Sequence, residues 1–180
     1  MALGKKFYGT VASGFSGYCL EQYKKAKESN SFDKHLIAFY DKKFRRAKDI
    51  SVADNPLIFS TIQGIFREAN KDYKFVLHEH HIDIWIMEYT EGAAGYVDWH
   101  VDFEGKSLAD NAVGEQIKLS MSLALTEDYK GGELEFDEGR VELGTNDLVV
   151  FPSFFRHKVN PVKQGTRVAL VAWQYGPNWK

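Results

Sequence analysis

The sequence predicts an α+β domain in which N-terminal helices pack on a β-sandwich or jelly roll of antiparallel strands. Three observations carry this. Apolar residues recur at helical spacing through the first third of the chain. The period falls to two after about Tyr73. Beyond that point the apolar segments are short and divided by turn residues, with no repeat and no linker. Helices first and many short strands afterwards is the order of an α+β fold rather than of a parallel α/β sheet. With 180 residues, 44% hydrophobic and 27% charged, the chain is expected to be one domain able to bury a core. Residues 1–73 read as a helical support region and 74–180 as the jelly-roll core.

In chain order, Ser16 to Lys27 is the first helix, with apolar Tyr18, Cys19, Tyr23 and Ala26. Asn30, Ser31 and Asp33 offer N-caps for a second over Lys34 to Arg46. Asn55-Pro56 opens a third, because proline is tolerated in a first helical turn, and Ile58, Phe59, Ile62, Ile65, Phe66 and Ala69 follow at spacings of three and four. Val76 to Tyr89 reads as one or two strands. Gln116 to Thr126 alternates, with Ile117, Leu119, Met121, Leu123 and Leu125 on one face and Lys118, Ser120, Ser122 and Ala124 on the other. Gly131-Gly132 is a turn, and Glu133 to Phe136 pairs with Arg140 to Leu143 across Asp137-Glu138-Gly139. Leu148 to Phe151 is a buried strand. Arg156 to Val162 and Arg167 to Tyr175 follow, joined by a turn through Gln164-Gly165. The polar segment Phe103 to Glu115 reads as a mobile loop beside a site.

Composition narrows the function. A formal net charge of −2 provides no general attraction to nucleic acid or anionic lipid, and the basic run Lys42 to Arg46 reads as a solvated helix face. Cys19 is the one cysteine, which excludes an intrachain disulfide and a cysteine-rich zinc site and suits a reducing cytosol. No apolar stretch reaches the roughly 20 residues of a membrane span, and the N-terminal residues show no signal-peptide core. The expectation is a cytoplasmic protein with no membrane or nucleic-acid partner.

The chemistry-bearing constellation starts at His100-Val101-Asp102. Residues two apart on a strand point the same way, so an imidazole and a carboxylate reach one cation together. His157, on a later strand, supplies a third ligand. Two histidines and one carboxylate on one face of an octahedron leave three positions open, the facial triad of non-haem Fe(II) oxygenases. His81-Ile82-Asp83 is a second H-x-D, but Arg167 stands ten residues beyond His157, whereas the corresponding position ten beyond His100 is Asp110. Arginine's planar fork holds a carboxylate through two parallel hydrogen bonds and stays charged when buried. The run His78-Glu79-His80-His81 reads as a charged strand edge rather than a second metal site. Arg156 either faces solvent or meets substrate carbonyls.

From Tyr89 to Pro177 the chain resembles the catalytic core of the 2-oxoglutarate/Fe(II)-dependent dioxygenases, most of all their prolyl-4-hydroxylase branch. The resemblance lies in Tyr89 to Asp102 with its tyrosine–glycine–tyrosine lead into H-x-D, in Gly131-Gly132-Glu133-Leu134, and in Gly144 to Ser153 followed by His157, Pro161-Val162, Gly165 and Arg167. One departure is that three residues separate Tyr96 from His100, where the branch usually has two. The resemblance implies a double-stranded β-helix, Fe(II) on His100, Asp102 and His157, and 2-oxoglutarate on Arg167. It also implies that Tyr89 donates to the same carboxylate, that Ser122 lines the cosubstrate pocket and that Trp173 packs near the metal. Dioxygen and, as a reductant, ascorbate complete the set. The implied activity is hydroxylation of a prolyl residue in a peptide or protein. A free amino acid or other small substrate, or a non-catalytic metal-binding module on the same fold, are the alternatives. The sequence leaves the oligomeric state open.

Overall fold

Residues 5–29, 45–91, 95–102 and 114–179 are described by the computed structural model. The second expected helix falls mainly on residues 30–44, and the expected loop on 103–113, both outside that set. Two helices are present among the described residues, α1 (Ser13–Glu28) and α2 (Pro56–Tyr73). In α1 the buried positions are Ser16, Cys19, Tyr23 and Ala26, spaced three, four and three apart along one stripe. In α2 they are Ile58, Ile62, Phe66, Ala69 and Tyr73. The start of α2 is as expected: Pro56 occupies the first turn, and the Asn55 side chain accepts a hydrogen bond from the Ile58 amide at 3.1 Å. The helix stops at Lys74, whose φ of 58° is left-handed. Replacing Asn55 with Ala is expected to destabilise the protein by about 1 kcal/mol, measurable as a lower midpoint in urea unfolding with an unchanged slope.

The strands are β1 (Phe7–Thr10), β2 (Arg45–Arg46), β3 (Lys48–Ser51), β4 (Ile82–Thr90), β5 (Tyr96–His100), β6 (Glu115–Ala124), β7 (Tyr129–Gly131), β8 (Leu134–Phe136), β9 (Gly139–Val141), β10 (Asp147–Pro152), β11 (His157–Val159) and β12 (Val162–Pro177). A larger sheet runs β1-β10-β6-β12-β4-β3, with β7 added to β12, and a smaller one runs β2-β5-β11-β8-β9. Every pairing is antiparallel. The larger sheet is covered on both faces, which is why β6 is buried almost throughout. One face carries Ile84, Ile86, Leu119, Leu123, Val150 and Leu170 against Ile58, Ile62 and Phe66 of α2 and Cys19 and Tyr23 of α1. The other carries Met87, Tyr89, Val149 and Phe151 against Val97, Leu134, Phe136 and Val159 of the smaller sheet. Each fully buried side chain of this size contributes roughly 1.5–3 kcal/mol. The two faces are thus a structural core and the lining of the barrel.

Four expectations change. Arg45–Arg46 is a strand paired with Val97 and Tyr96 rather than the end of a helix, because the edge of β5 needs backbone partners. Val76 to His81 is not a strand. Its chain turns at Glu79-His80, and β4 starts at Ile82. The turn through Gln164-Gly165 is absent: those residues lie inside β12, and the reversal falls at Asn160-Pro161. Gly165 instead allows close approach, since its φ is +79° and a Cβ there would stand 2.7 Å from the Asp128 carbonyl oxygen. Finally, the alternation of β6 breaks at Lys118. Gln174 pairs with Leu119 and Tyr175 with Ile117, so Lys118 is the extra residue of a bulge. Its amine lies 3.6 Å from the centroid of the Trp179 ring.

Cys19 is fully buried, and burial pushes its thiol up to about 12, so it behaves as a small apolar side chain. Glu88 is a buried carboxylate joining α1 to β4: the Tyr23 hydroxyl donates to it, and Lys27 pairs with it at 2.9 Å. Burial alone would raise its pKa, but Tyr23, Lys27 and Lys48 together hold it below the usual 4.5. A depressed carboxylate stabilises the fold above its unfolded pKa and loses that stabilisation as pH falls through the folded value. The native protein is therefore expected to lose stability as pH drops below about 4.5, and Glu88→Gln to be less sensitive to pH over that window in thermal melts.

Candidate metal centre and carboxylate pocket

The smaller sheet sets the two histidines opposite each other. His157 on β11 is the register partner of His100 on β5, and their ring centroids are 4.2 Å apart. Asp102 follows just past the end of β5, where its amide donates to the Ser153 carbonyl at 2.9 Å. Ser153 is itself fixed: its hydroxyl donates to the Ile117 carbonyl at 2.6 Å, and it has no exposure. Ligand atoms of His100, Asp102 and His157 all lie within 4.8 Å of one another, and among the described residues this is the one such trio of potential metal ligands.

Hydrogen bonding settles which nitrogens face the centre. His100 Nδ1 lies 2.7 Å from the Asp98 carbonyl and His157 Nδ1 lies 2.9 Å from the Phe155 carbonyl. A carbonyl only accepts, so each Nδ1 carries its proton and each Nε2 keeps a lone pair. Those Nε2 atoms point at Asp102, His100 at 3.2 Å from Oδ1 and His157 at 3.7 Å from Oδ2. Burial lowers the pKa of His157; Asp102 opposes this and His100 adds to it, and the net effect favours neutral imidazole. Burial would raise the Asp102 carboxyl, but His157, His100 and the Ser120 hydroxyl, which donates at 2.6 Å, hold it well below the usual carboxylate range. Two imidazole lone pairs and a carboxylate converging in a largely buried site repel one another without a cation between them. This donor set therefore fits a divalent ion such as Fe(II).

Arg167 sits on the barrel-facing side of β12, along with Val171 and Trp173, whose register partners on β6 are Ser122 and Ser120. The guanidinium is buried, at 3% exposure. One of its nitrogens, Nη2, reaches Ser122 Oγ at 3.4 Å, and Nη1 has no hydrogen-bond partner. No carboxylate among the described residues pairs with it. A buried cation left unpaired costs several kcal/mol, so this side chain fits a ligand carboxylate. Tyr89 is the β4 register partner of Arg167, with its ring centroid 5.0 Å from Arg167 Cζ. Its hydroxyl donates to Met87 Sδ at 3.1 Å. Behind the arginine, Gly132 has φ +69°, and a Cβ there would stand 3.1 Å from Arg167 Cδ. A Cβ at this position would strain a left-handed backbone and make the arginine stem give by a few tenths of an ångström.

The structure thus brings His100, Asp102 and His157 together and sets Arg167, Tyr89, Ser122 and Trp173 on the same barrel lining. The other H-x-D does not assemble a comparable site. His81 Nδ1 and His78 Nδ1 each lie 2.6 Å from a different oxygen of Glu115, and Asp83 accepts from the Tyr175 hydroxyl at 2.9 Å. Arg156 is exposed, paired with Asp137 at 3.2 Å and placed over the Trp99 ring. Sequence reasoning marked Ser120 as inward-facing but missed that it donates to Asp102. It named Ser153 only as the end of the Gly144 to Ser153 stretch and gave it no role at the site, the available signal being a serine directly after the Pro152 strand break.

No family model matches the chain. Over 94 residues, 50% of this chain, it is 34% identical to a PKHD-type hydroxylase of Idiomarina loihiensis, and the match covers 40% of that protein. The matched segment therefore spans less than half the length of that curated relative. Its fold matches a Pseudomonas putida prolyl-4-hydroxylase with a TM-score of 0.74 at 15% identity, covering 96% of this chain and 93% of the other. It also matches a Trichoplax adhaerens prolyl hydroxylase, solved in complex with a peptide fragment of the hypoxia inducible factor oxygen degradation domain. There the TM-score is 0.75 at 14% identity, covering 97% and 84%. The α+β jelly roll expected from the sequence is the fold observed.

Proposed function

We propose that this chain, a prolyl-4-hydroxylase-like member of the 2-oxoglutarate/Fe(II) oxygenase superfamily, couples decarboxylation of 2-oxoglutarate to hydroxylation of a prolyl residue in a peptide or protein. The observation that carries the reading is the pairing of a two-histidine, one-carboxylate cluster, partly open to solvent at His100, with a buried, partly unsatisfied guanidinium inside one barrel. Fe(II), 2-oxoglutarate and dioxygen would supply the oxidising chemistry, yielding succinate, CO2 and one oxygen inserted into a C–H bond. The protein's part is placement. His100, Asp102 and His157 present three donors on one side of the ion, with the Asp98 and Phe155 carbonyls and Ser120 fixing their orientation. Arg167 takes the distal carboxylate of 2-oxoglutarate, with Tyr89 beside it. Ser120, Ser122 and Ala124 are small enough to leave room between the two groups. Trp173 forms a wall near the metal. In this reading the helices stiffen the back of the larger sheet, and the barrel does the chemistry.

The peptide class of substrate is supported by the peptide-bound Trichoplax neighbour. The partner is then a proline-bearing chain rather than nucleic acid or membrane, and no helix among the described residues is long and apolar enough to cross a membrane. The test is succinate release under air with Fe(II) and 2-oxoglutarate, with and without ascorbate, across a panel of proline-containing peptides. Peptide-stimulated turnover with one oxygen added to proline is the expected result. An added oxygen on a free amino acid, with none on any peptide, would reassign the substrate. Tight binding of metal and cosubstrate with no turnover at all would sink the enzyme reading.

A further inference from the structure

The strand that carries His100 is irregular just before it. His157 pairs with His100 and Val159 with Val97, so Asp98 and Trp99 together stand opposite Lys158 alone. This is a bulge of one extra residue. Its effect follows from alternation. Val97 is buried on the barrel side. In an unbroken strand residue 99 would share that side and residue 100 would face away. The extra residue shifts the phase by one. His100 therefore turns to the metal centre, and Trp99 turns to the outer face of the smaller sheet, where Lys158 also lies.

The bulge is held along its backbone and from behind. Asp98 Oδ1 accepts the Trp99 amide at 2.7 Å, and the Asp98 carbonyl accepts from His100 Nδ1 at 2.7 Å. On the outer face the Trp99 ring meets two cations, with Arg156 Cζ 4.6 Å and Lys158 Nζ 4.8 Å from its centroid. Each cation is anchored in turn, Arg156 by Asp137 at 3.2 Å and Lys158 by Glu135 at 3.5 Å. Trp99 and Arg156 are the residues directly before His100 and His157, so their contact ties the two histidine backbones together. We propose that Trp99 is a positioning residue, clamped by Arg156 and Lys158 so that the β5 bulge keeps His100 turned to the metal centre. The catalytic meaning of this role rests on the function proposed above. The orientation of the imidazole is a property of the chain itself.

The test reads the imidazole and the ion separately. In the metal-free protein, in mildly alkaline solution, long-range proton–nitrogen NMR should show His100 as the Nδ1-protonated tautomer. Trp99→Ala should release that ring to a mixture of tautomers, while His157, bonded to the Phe155 carbonyl, keeps its own. The same variant should bind Mn(II) about tenfold more weakly by electron paramagnetic resonance. Trp99→Phe keeps an aromatic face for the cations and should recover most of the loss. Should Trp99→Ala fail to fold, as judged by circular dichroism, Arg156→Ala combined with Lys158→Ala removes the clamp from the surface and should give both effects. Arg140→Ala, which cuts the ion pairs to Glu133 and Glu135, should give neither. An unchanged His100 tautomer in folded Trp99→Ala or in the double variant would overturn the proposal. So would native Mn(II) affinity alongside a shifted tautomer, or equal losses in Arg140→Ala. A tautomer shift in a protein whose native form binds no Mn(II) would sustain the positioning role and sink the metal-centre reading instead.

Discussion

Replacing Asp102 with Ala should abolish hydroxylation and metal binding together. Asp102 is the only carboxylate of the triad, it is buried, and both histidine Nε2 atoms face it. Without it the ion keeps two neutral ligands, and the charge that offsets its desolvation is gone. Loss of an outer partner of a metal ligand typically costs about 10–100-fold in affinity or activity. Loss of the carboxylate itself should exceed that range, measured as Mn(II) affinity by electron paramagnetic resonance and as succinate release. Ser120→Ala, which removes only the 2.6 Å bond to Oδ2, should fall within it. Retention of near-native Mn(II) affinity by Asp102→Ala would place the metal elsewhere.

The second large effect is on the cosubstrate. A charge-assisted hydrogen bond contributes roughly 1.5–3 kcal/mol, with more lost when a buried anion is left unpaired. Arg167→Ala should therefore raise the KM for 2-oxoglutarate about tenfold or more, while Mn(II) binding stays near that of the native protein. Arg167→Lys keeps the charge but loses the planar fork and should recover only part of the loss. The contrast between the two variants distinguishes carboxylate binding from mere packing against Tyr89. An unchanged KM in Arg167→Ala would show that the guanidinium meets some other group.

The elements read correctly from the sequence are those in which local pattern and tertiary environment agree. Asn55-Pro56 starts α2 because cap and proline chemistry act within one turn. Ser120 and Ser122 face inward because alternation on β6 holds from Leu119 onward. The pattern fails where long-range pairing decides. Nothing local tells that Lys118 is passed over in the ladder, since the bulge comes from how β12 aligns with β6. Arg45–Arg46 looks helical from its neighbours, and only the position of β5 makes it a strand. His78 and His81 suggested a strand edge, but Glu115, more than thirty residues away, draws both into a turn. The convergence of His100, Asp102 and His157 was legible because each of these side chains carries its own chemistry. The hydrogen bonds that aim those ligands come from the Asp98, Phe155 and Ser153 carbonyls, which no side-chain motif records.

Strand β12 runs sixteen residues and is laced to β4, β6 and β7, with Arg167 near its middle. Peeling it away would split the larger sheet, so its amides should be among the slowest in the molecule to exchange with deuterated solvent. The guanidinium is thereby bolted to the keel of the molecule rather than to a flap. On heating, cosubstrate capture should persist until the whole architecture gives way, with no earlier stage at which an intact shell has lost its grip.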